Sequence, residues 1–449
     1  MAQQLIMKEY GIDAVRWLCS HESAGLFLDP GLGKTAITLL AYKLLKNQGV
    51  VDKLFVIAPL RVASIVWPSE VRKWEPFQDL KICVLHGPDK DKTIKKNVDI
   101  YVINPEGLPW LSKDISLFKK NKWMLVCDES TLFKNHSSQR FKILKRLLPL
   151  FVRRVILTGT PAPNGLIQLW PQVFILDQGK RLSKYITQFR NTYFRPAGYM
   201  GYAYELIEGS EQRIYDSVND IIMHKSSNEL DLPEIMYNTI EVELSPKIRT
   251  MYNDMKKRYI AEYGEEQLAV AVNAATAGSK LKQISNGGIY NENREHVILH
   301  MEKVKVIEDL LEELGGRPLL VIYEYNHDLS RLKSVLPAPH IGAGVDSKTL
   351  GKTINDWNNS KIPLLYLQPQ AGGHGLNLQG GTCNAVVWFS IPFDLELYEQ
   401  ANRRVHRQGV KNTVTIHHIV SKDTVDENIM KVLDKKDKLQ SALLEALLK

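Results

Sequence analysis

The chain has 449 residues, of which 44% are hydrophobic and 24% charged, with a formal net charge of +8. That length points to two large domains, and the composition is that of a globular protein in which no apolar run approaches the ~20 residues of a membrane span. The basic surplus, with a pI near 9.0, favours a polyanionic partner.

In chain order, the opening MAQQLIMKEYGIDAVRWL has no basic segment followed by an apolar core, so no secretory leader is expected there. From residue 25 to 160, the apolar runs GLFL, KLFVIAP, DIYVIN, WMLVCDE and VILTGT alternate with longer amphipathic stretches. This rhythm predicts βα units around a parallel sheet buried on both faces, with the chemistry at the strand C-termini. From about Leu176 to Met301 the texture turns charged and aromatic, which predicts mainly helical insertions; Ser245 and Pro246 mark one helix start. Near Pro318 a second series begins, with PLLVIYEY, PLLYLQPQ, NAVVWFS and VTIHHIV. The expected fold is α/β, two parallel-sheet domains in tandem: residues 1–235 with an insertion about 177–235, and 236–449 with an insertion about 245–300.

The stretch LFLDPGLGKTAITLL runs from an apolar strand through a glycine turn into an apolar helix. In the loop Asp29, Pro30, Gly31, Leu32 and Gly33, the two glycines let backbone N–H groups curl around phosphate oxygens, Lys34 can neutralise their charge, and Thr35 can ligate magnesium. Leu28 stands where the usual GxxxxGK pattern has its first glycine. Beside such a loop, the acids ending WMLVCDES take on meaning: Asp128 would hold magnesium through water, and Glu129 would orient and deprotonate an attacking water. In RRVILTGTPAPN, the hydroxyls of Thr158 and Thr160 follow another strand, where they could sense a phosphate. Late in the chain, QANRRVHRQG crowds Arg403, Arg404 and Arg407 beside Gln400. Spacing puts Arg404 and Arg407 on one side of a helix and turns Arg403 about 100° away. Cys19, Cys83, Cys127 and Cys383 form no CxxC pair, and they read as small buried hydrophobes; no zinc is expected. Trp67, Trp74 and Trp388 sit in apolar contexts and read as core.

With DPGLGKT, DES, TGTPAPN, LQPQAGGHGLNLQGG and NRRVHRQG in this order, the chain resembles the SNF2 (Swi2/Snf2-like) family of superfamily 2 helicase-like ATPases, in particular its compact phage and bacterial members. The likeness extends over nearly the whole chain, through MKEYGIDAVRWL, IAPLRVASIVWPSEVRKW, NGLIQLWPQVFIL, LDLPEIMYNTIEVELSPKIRTMY and LKQISNGG. It implies two RecA-like lobes that hydrolyse ATP between them with Mg2+, held by Thr35 and Asp128. Gln400, Arg404 and Arg407 match the glutamine and two arginines of motif VI, and Tyr10 lies where the family reads adenine, with Gly11 replacing the usual glutamine. Ser130 departs from the family's DEAH or DEGH. The resemblance also implies a motor stimulated by double-stranded DNA that remodels DNA or protein–DNA complexes, with Arg61, Gly107, Gly373, Gly375 and Asn377 along the phosphate backbone. A strand-separating or branch-migrating helicase is the alternative, and a nucleic-acid-binding scaffold with a vestigial ATP site is another. The expected setting is the cytoplasm of a bacterium or phage-infected host, as a monomer with protein partners in replication, repair or recombination.

Overall fold

The apolar runs of the first half become the interior strands of a seven-stranded sheet. The computed structural model describes residues 2–29, 31–162, 165–197, 203–225, 232–263, 277–291, 293, 295–372, 378–406, 410 and 412–446. Contacts divide the chain into one unit comprising Met1–Arg195, Tyr204–Asp231 and Lys438–Lys449, and a second comprising Pro196–Ala203 and Leu232–Asp437.

In the first unit the strands are β1 (Ser23–Leu28), β2 (Lys53–Ile57), β3 (Ile82–Val84), β4 (Ile100–Ile103), β5 (Trp123–Asp128) and β6 (Phe151–Thr158). A short hairpin of β7 (Phe194–Ala197) and β8 (Ala203–Leu206) precedes β9 (Ile222–Lys225). The sheet order is β3-β4-β2-β5-β6-β1-β9, and every pairing is parallel. Consequently β1, β5 and β6 end side by side, with Phe27 opposite Thr158 and Asp128 opposite Leu157. β9 falls within the stretch read as helical. In its sequence IMHK it is burial that alternates, with Ile222 and His224 buried and Met223 and Lys225 half-buried, because an edge strand is buried less completely than the interior strands.

The second unit holds β10 (Ile235–Val242), an antiparallel pair β11 (Gly288–Tyr290) and β12 (His296–Ile298), then β13 (Leu319–Ile322), β14 (His340–Ile341), β15 (Leu364–Leu367), β16 (Ala385–Trp388) and β17 (Val414–Ser421). Its six-stranded parallel sheet runs β10-β17-β16-β13-β15-β14. Alternation along the strands divides the core: Leu320, Ile322, Leu365, Leu367, Val386 and Trp388 pack on one face, and Leu319, Val321, Leu364, Tyr366, Ala385 and Val387 on the other. This is why these runs carry no polar phase. The insertion read as helical holds the helices Pro246–Tyr263 and Ala277–Asn286, together with the β11–β12 hairpin.

At the C-terminal edge of this second sheet lies a buried polar cluster. Lys303 Nζ donates to Asp426 Oδ2 at 2.7 Å and Asn286 Oδ1 at 3.0 Å, and Ser285 Oγ donates to Asp426 Oδ1 at 2.8 Å. Arg331 Nη2 donates to Asp328 Oδ1 at 2.7 Å, while its Nη1 donates to the Asn286 carbonyl at 2.6 Å. Lys303, Asp328 and Arg331 are wholly buried. The cluster ties the helices Ala277–Asn286, Glu302–Leu314, Asn326–Val335 and Val425–Ala446 to the ends of β16 and β17. Among the described residues, no helix is long and apolar enough to cross a membrane.

Candidate nucleotide site

Gly31 and Gly33 supply the turn that β1 needs before the helix Lys34–Asn47. Their φ values of 93° and 75° are left-handed, a conformation that costs glycine nothing and strains most other residues. Gly33 is the helix N-cap, no side chain caps that end, and the first turn carries no acid. The helix therefore presents uncapped backbone N–H groups and the positive end of its dipole, a setting suited to phosphate. Lys34 Nζ folds back across the loop and donates to the carbonyls of Leu28 at 2.6 Å and Asp29 at 3.3 Å. Thr35 is half-buried in the same first turn, and Asp29 is buried.

Two strands away, β5 delivers Asp128 and Glu129 to the same edge of the sheet. Glu129 has a φ of 66°, a left-handed geometry that a side-chain-bearing residue keeps only where its surroundings enforce it. The enforcing contacts are visible: Thr131 Oγ1 and Thr158 Oγ1 both donate to Glu129 Oε1 at 2.9 Å. Thr160 N in turn donates to Thr158 Oγ1 at 3.0 Å. The carboxylate is thus oriented by hydroxyls from its own turn and from the end of β6. Cys127, just before it, is fully buried, and desolvation pushes its thiol up, so it remains a packing residue.

Two contributors escaped the sequence reading. Trp67, wholly buried as expected of core, also donates its indole N–H to Asp128 Oδ2 at 2.8 Å. Ser130, wholly buried, donates to Gln172 Oε1 at 2.6 Å, and Gln172 Nε2 reaches the Pro161 carbonyl at 2.5 Å. Neither link has a sequence signal, because the partners lie tens of residues apart. A polar residue inside the apolar helix LWPQVFILD was the one available hint.

The other candidates are more dispersed. Tyr10 is half-buried on the helix Glu9–Ser20, which packs on the glycine-loop helix: a Cβ added at Gly11 would lie 3.9 Å from Ile37. Arg61 follows β2 at the entry to a π-helical turn Val62–Val66, and Gly107 ends a turn after β4. Both are at the C-terminal edge of the sheet. Gly107 also has a packing reason to lack a side chain, since a Cβ there would approach Ile103 Cγ1 to 2.7 Å. Pro30, Gly373, Gly375, Asn377 and Arg407 lie outside the described residues.

In the second unit, Gln400 sits on the helix Leu395–Asn402 and donates to Glu396 Oε1 at 3.2 Å. The helix expected to carry Arg404 and Arg407 on one face does not reach Arg404, and Arg407 lies outside the described residues. The helix ends at Asn402, Arg403 is its C-cap, and Arg404 begins a turn in which its N–H bonds the Ala401 carbonyl at 3.2 Å. The turn is fixed from outside the helix: Trp388 Nε1 donates to Asn402 Oδ1 at 2.8 Å, Leu378 N to the Arg404 carbonyl at 3.1 Å, and His406 Nε2 lies 2.6 Å from the Pro233 carbonyl. Arg403 pairs with Glu399 at 3.5 Å, and Arg404 is buried.

Two tandem parallel sheets, the first with a glycine loop at β1 and acids at β5, define a helicase-like ATPase core. Sequence comparison gives the family. The SNF2-related domain matches residues 10–289, and the helicase conserved C-terminal domain matches residues 302–409. The chain belongs to the SNF2 family of superfamily 2 helicase-like ATPases. It is 36% identical to putative protein p41 of Acyrthosiphon pisum secondary endosymbiont phage 1, over 96% of each chain. It is 24% identical to an uncharacterized ATP-dependent helicase of Mycoplasma pneumoniae, over 98% of this chain and 42% of that protein. It is 25% identical to transcription regulatory protein SNF2 of Saccharomyces cerevisiae, over 98% of this chain and 28% of that protein. The chain thus spans nearly all of the phage protein but less than half of these two larger relatives. Among solved structures, the Sulfolobus solfataricus SWI2/SNF2 ATPase core in complex with dsDNA aligns over 98% of this chain and 94% of that chain, at 22% identity and a TM-score of 0.46.

Proposed function

We propose that the protein is a DNA-stimulated ATPase that moves along double-stranded DNA and remodels DNA or protein–DNA complexes. The observation that carries this reading is the convergence at one sheet edge: an uncapped helix N-terminus with Lys34 at β1, and a carboxylate pair at β5 whose second member is oriented by Thr131 and Thr158. Family membership supplies the context of an ATP-driven motor.

In this reading the glycine-loop N–H groups and Lys34 hold the triphosphate, and Glu129 accepts a proton from the attacking water. Thr35 and Asp128 offer oxygen donors suited to a hard cation. Among the described residues no group of three or more His, Cys, Asp and Glu side chains could hold a metal ion. When bound, magnesium neutralises charge on the transferring phosphoryl group. Trp67 fixes the rotation of the Asp128 carboxylate, and the Thr158 hydroxyl keeps Glu129 turned toward the end of β6. Gln400, Arg404 and Arg407 carry the motif VI roles, and Arg61, Gly107, Gly373, Gly375 and Asn377 meet phosphates of the DNA backbone.

The test is ATP hydrolysis with no nucleic acid, with single strands, with duplex DNA and with RNA, alongside triplex displacement and strand separation. Duplex-stimulated turnover with triplex displacement and no unwinding is the expected result. Unwinding would make the protein a strand-separating helicase, and absence of turnover under every condition would leave a binding scaffold and sink the motor.

A further inference from the structure

Within the helix Leu169–Asp177 every residue is buried, and Gln172 is wholly so. An aliphatic side chain would fill that space without the cost of desolvating an amide, so the amide calls for a reason. Both ends of the amide are engaged: Oε1 accepts from Ser130 Oγ at 2.6 Å, and Nε2 donates to the Pro161 carbonyl at 2.5 Å and the Gln168 carbonyl at 2.9 Å. Ser130 follows Glu129, and Pro161 follows the Thr158–Thr160 turn whose hydroxyl holds Glu129. Covalent links and hydrogen bonds therefore close a ring from Glu129 through Ser130, Gln172, Pro161 and Thr158 back to Glu129.

We propose that Gln172 is a positioning residue that locks the turn after β5 to the turn after β6, so that Glu129 keeps its left-handed backbone and its orientation toward water during hydrolysis. The proposal rests on the ATPase reading above. Without the amide, the two turns lose the tie that runs through Ser130 and Pro161, and the strained φ of 66° at Glu129 loses part of the frame that maintains it. Binding of ATP is served by the glycine loop at β1 and is left alone. Ser130, the departure from the family's usual third motif II residue, is the partner this amide requires.

The experiment is a double-variant cycle: wild type, Ser130→Ala, Gln172→Leu and the combination, each measured for kcat, for ATP affinity and for melting midpoint. Each single variant is expected to lower kcat on the order of 10- to 100-fold, since small misplacement of a reacting group has effects of that size. ATP affinity should stay within about two-fold of wild type, and each single variant should melt earlier because one buried polar group is stranded. The combined variant should regain part of the melting midpoint while kcat stays low, because the tie between the turns is still missing. If kcat recovers along with the midpoint, or if the single variants melt early with full kcat, Gln172 serves packing alone and the proposal is overturned. A wild type with no turnover on any nucleic acid overturns the ATPase reading and the proposal together, whereas an active wild type with unaffected variants overturns only the positioning role.

Discussion

Both parallel sheets collect polar groups at their C-terminal edge, and they treat them in opposite ways. In the first unit Lys34, Asp128 and Glu129 are half-buried, and carbonyls, an indole and two threonine hydroxyls are among their partners. In the second unit Lys303, Asp426, Asp328 and Arg331 are sealed away and neutralise one another. The same architectural position therefore leaves charged groups partly exposed in one sheet and satisfies its own charges out of water in the other. Partial exposure leaves ionised groups within reach of a ligand, whereas burial with mutual pairing converts them into links between helices.

The largest expected effect separates the two edges. Glu129→Gln should keep ATP binding and lower kcat about 100- to 10,000-fold, the range for losing a general base, and Lys34→Ala should abolish tight ATP binding. Equilibrium binding beside single-turnover hydrolysis reads both. Normal hydrolysis by Glu129→Gln would remove the carboxylate's assigned role and, with it, the contrast.

In the second unit the loss should appear as stability. Burial lowers the pKa of Lys303, and the Asp426 carboxylate opposes that shift, so the pair holds its charges by mutual support. Lys303→Met leaves Asp426 buried without its cation and should cost about 3–5 kcal/mol, with much of it recovered in Lys303→Met/Asp426→Asn. Urea unfolding followed by probes in each unit checks this, because two units need not unfold in one transition. A loss of ATP affinity with unchanged stability would contradict the division drawn here.

How much of this was legible before folding depends on the range of the interaction. The five strands GLFL, KLFVIAP, DIYVIN, WMLVCDE and VILTGT, and the glycine loop after the first, announce themselves because strands buried on two faces are continuously apolar and a phosphate loop is local. β9 and β10 were hidden as edge strands: burial alternates along β9, and most of β10 is exposed, so neither is a continuous apolar run. Lys303, within MEKVKVIEDLL, reads as part of a solvated helix face, since nothing in periodicity distinguishes a charge facing water from one facing Asp426. The end of the helix at Asn402 depended on Trp388, Leu378 and Pro233, all distant in sequence. Spacing rules gave Arg404 and Arg407 a common face that the backbone does not provide at Arg404.

A smaller, pH-dependent effect comes from His418, which is buried beside Tyr398 and Tyr237. Its ring Nε2 lies 2.8 Å from the Tyr398 hydroxyl, and the Tyr237 ring stacks on it at 6.1 Å. Burial, with neighbouring His417 adding to it, lowers its pKa from 6.5 to about 4. The unfolded chain therefore binds more protons between those values. Stability from the neutral ring is complete above about pH 6.5, is lost as pH falls toward about 4, and changes no further below. A shift of this size corresponds to roughly 3 kcal/mol. His418→Gln retains an acceptor for Tyr398 but cannot titrate, so the difference between wild-type and variant stability should depend on pH only in that window. A constant difference from pH 7 to 4 would mean that the ring titrates alike in the folded and unfolded chain.

The finest test returns to the first sheet edge, where an indole orients an acid. Trp67→Phe keeps an aromatic ring in the core but removes the N–H that reaches Asp128 Oδ2 at 2.8 Å together with part of a wholly buried ring system, so the melting midpoint is read beside turnover. A bond from a neutral donor to a carboxylate sets the rotation of the acid, and groups that orient a metal-binding residue typically change metal affinity about 10-fold or more. The magnesium concentration giving half-maximal turnover should therefore rise about 10-fold, while kcat at saturating magnesium stays near wild type. Glu129 accepts from Thr131 and Thr158, so the carboxylate proposed to activate water is expected to keep its place in this variant. If kcat falls instead and the magnesium requirement is unchanged, Asp128 acts on the chemical step directly, and the neutral partners at this edge orient a reacting group where this reading has them orient a metal ligand.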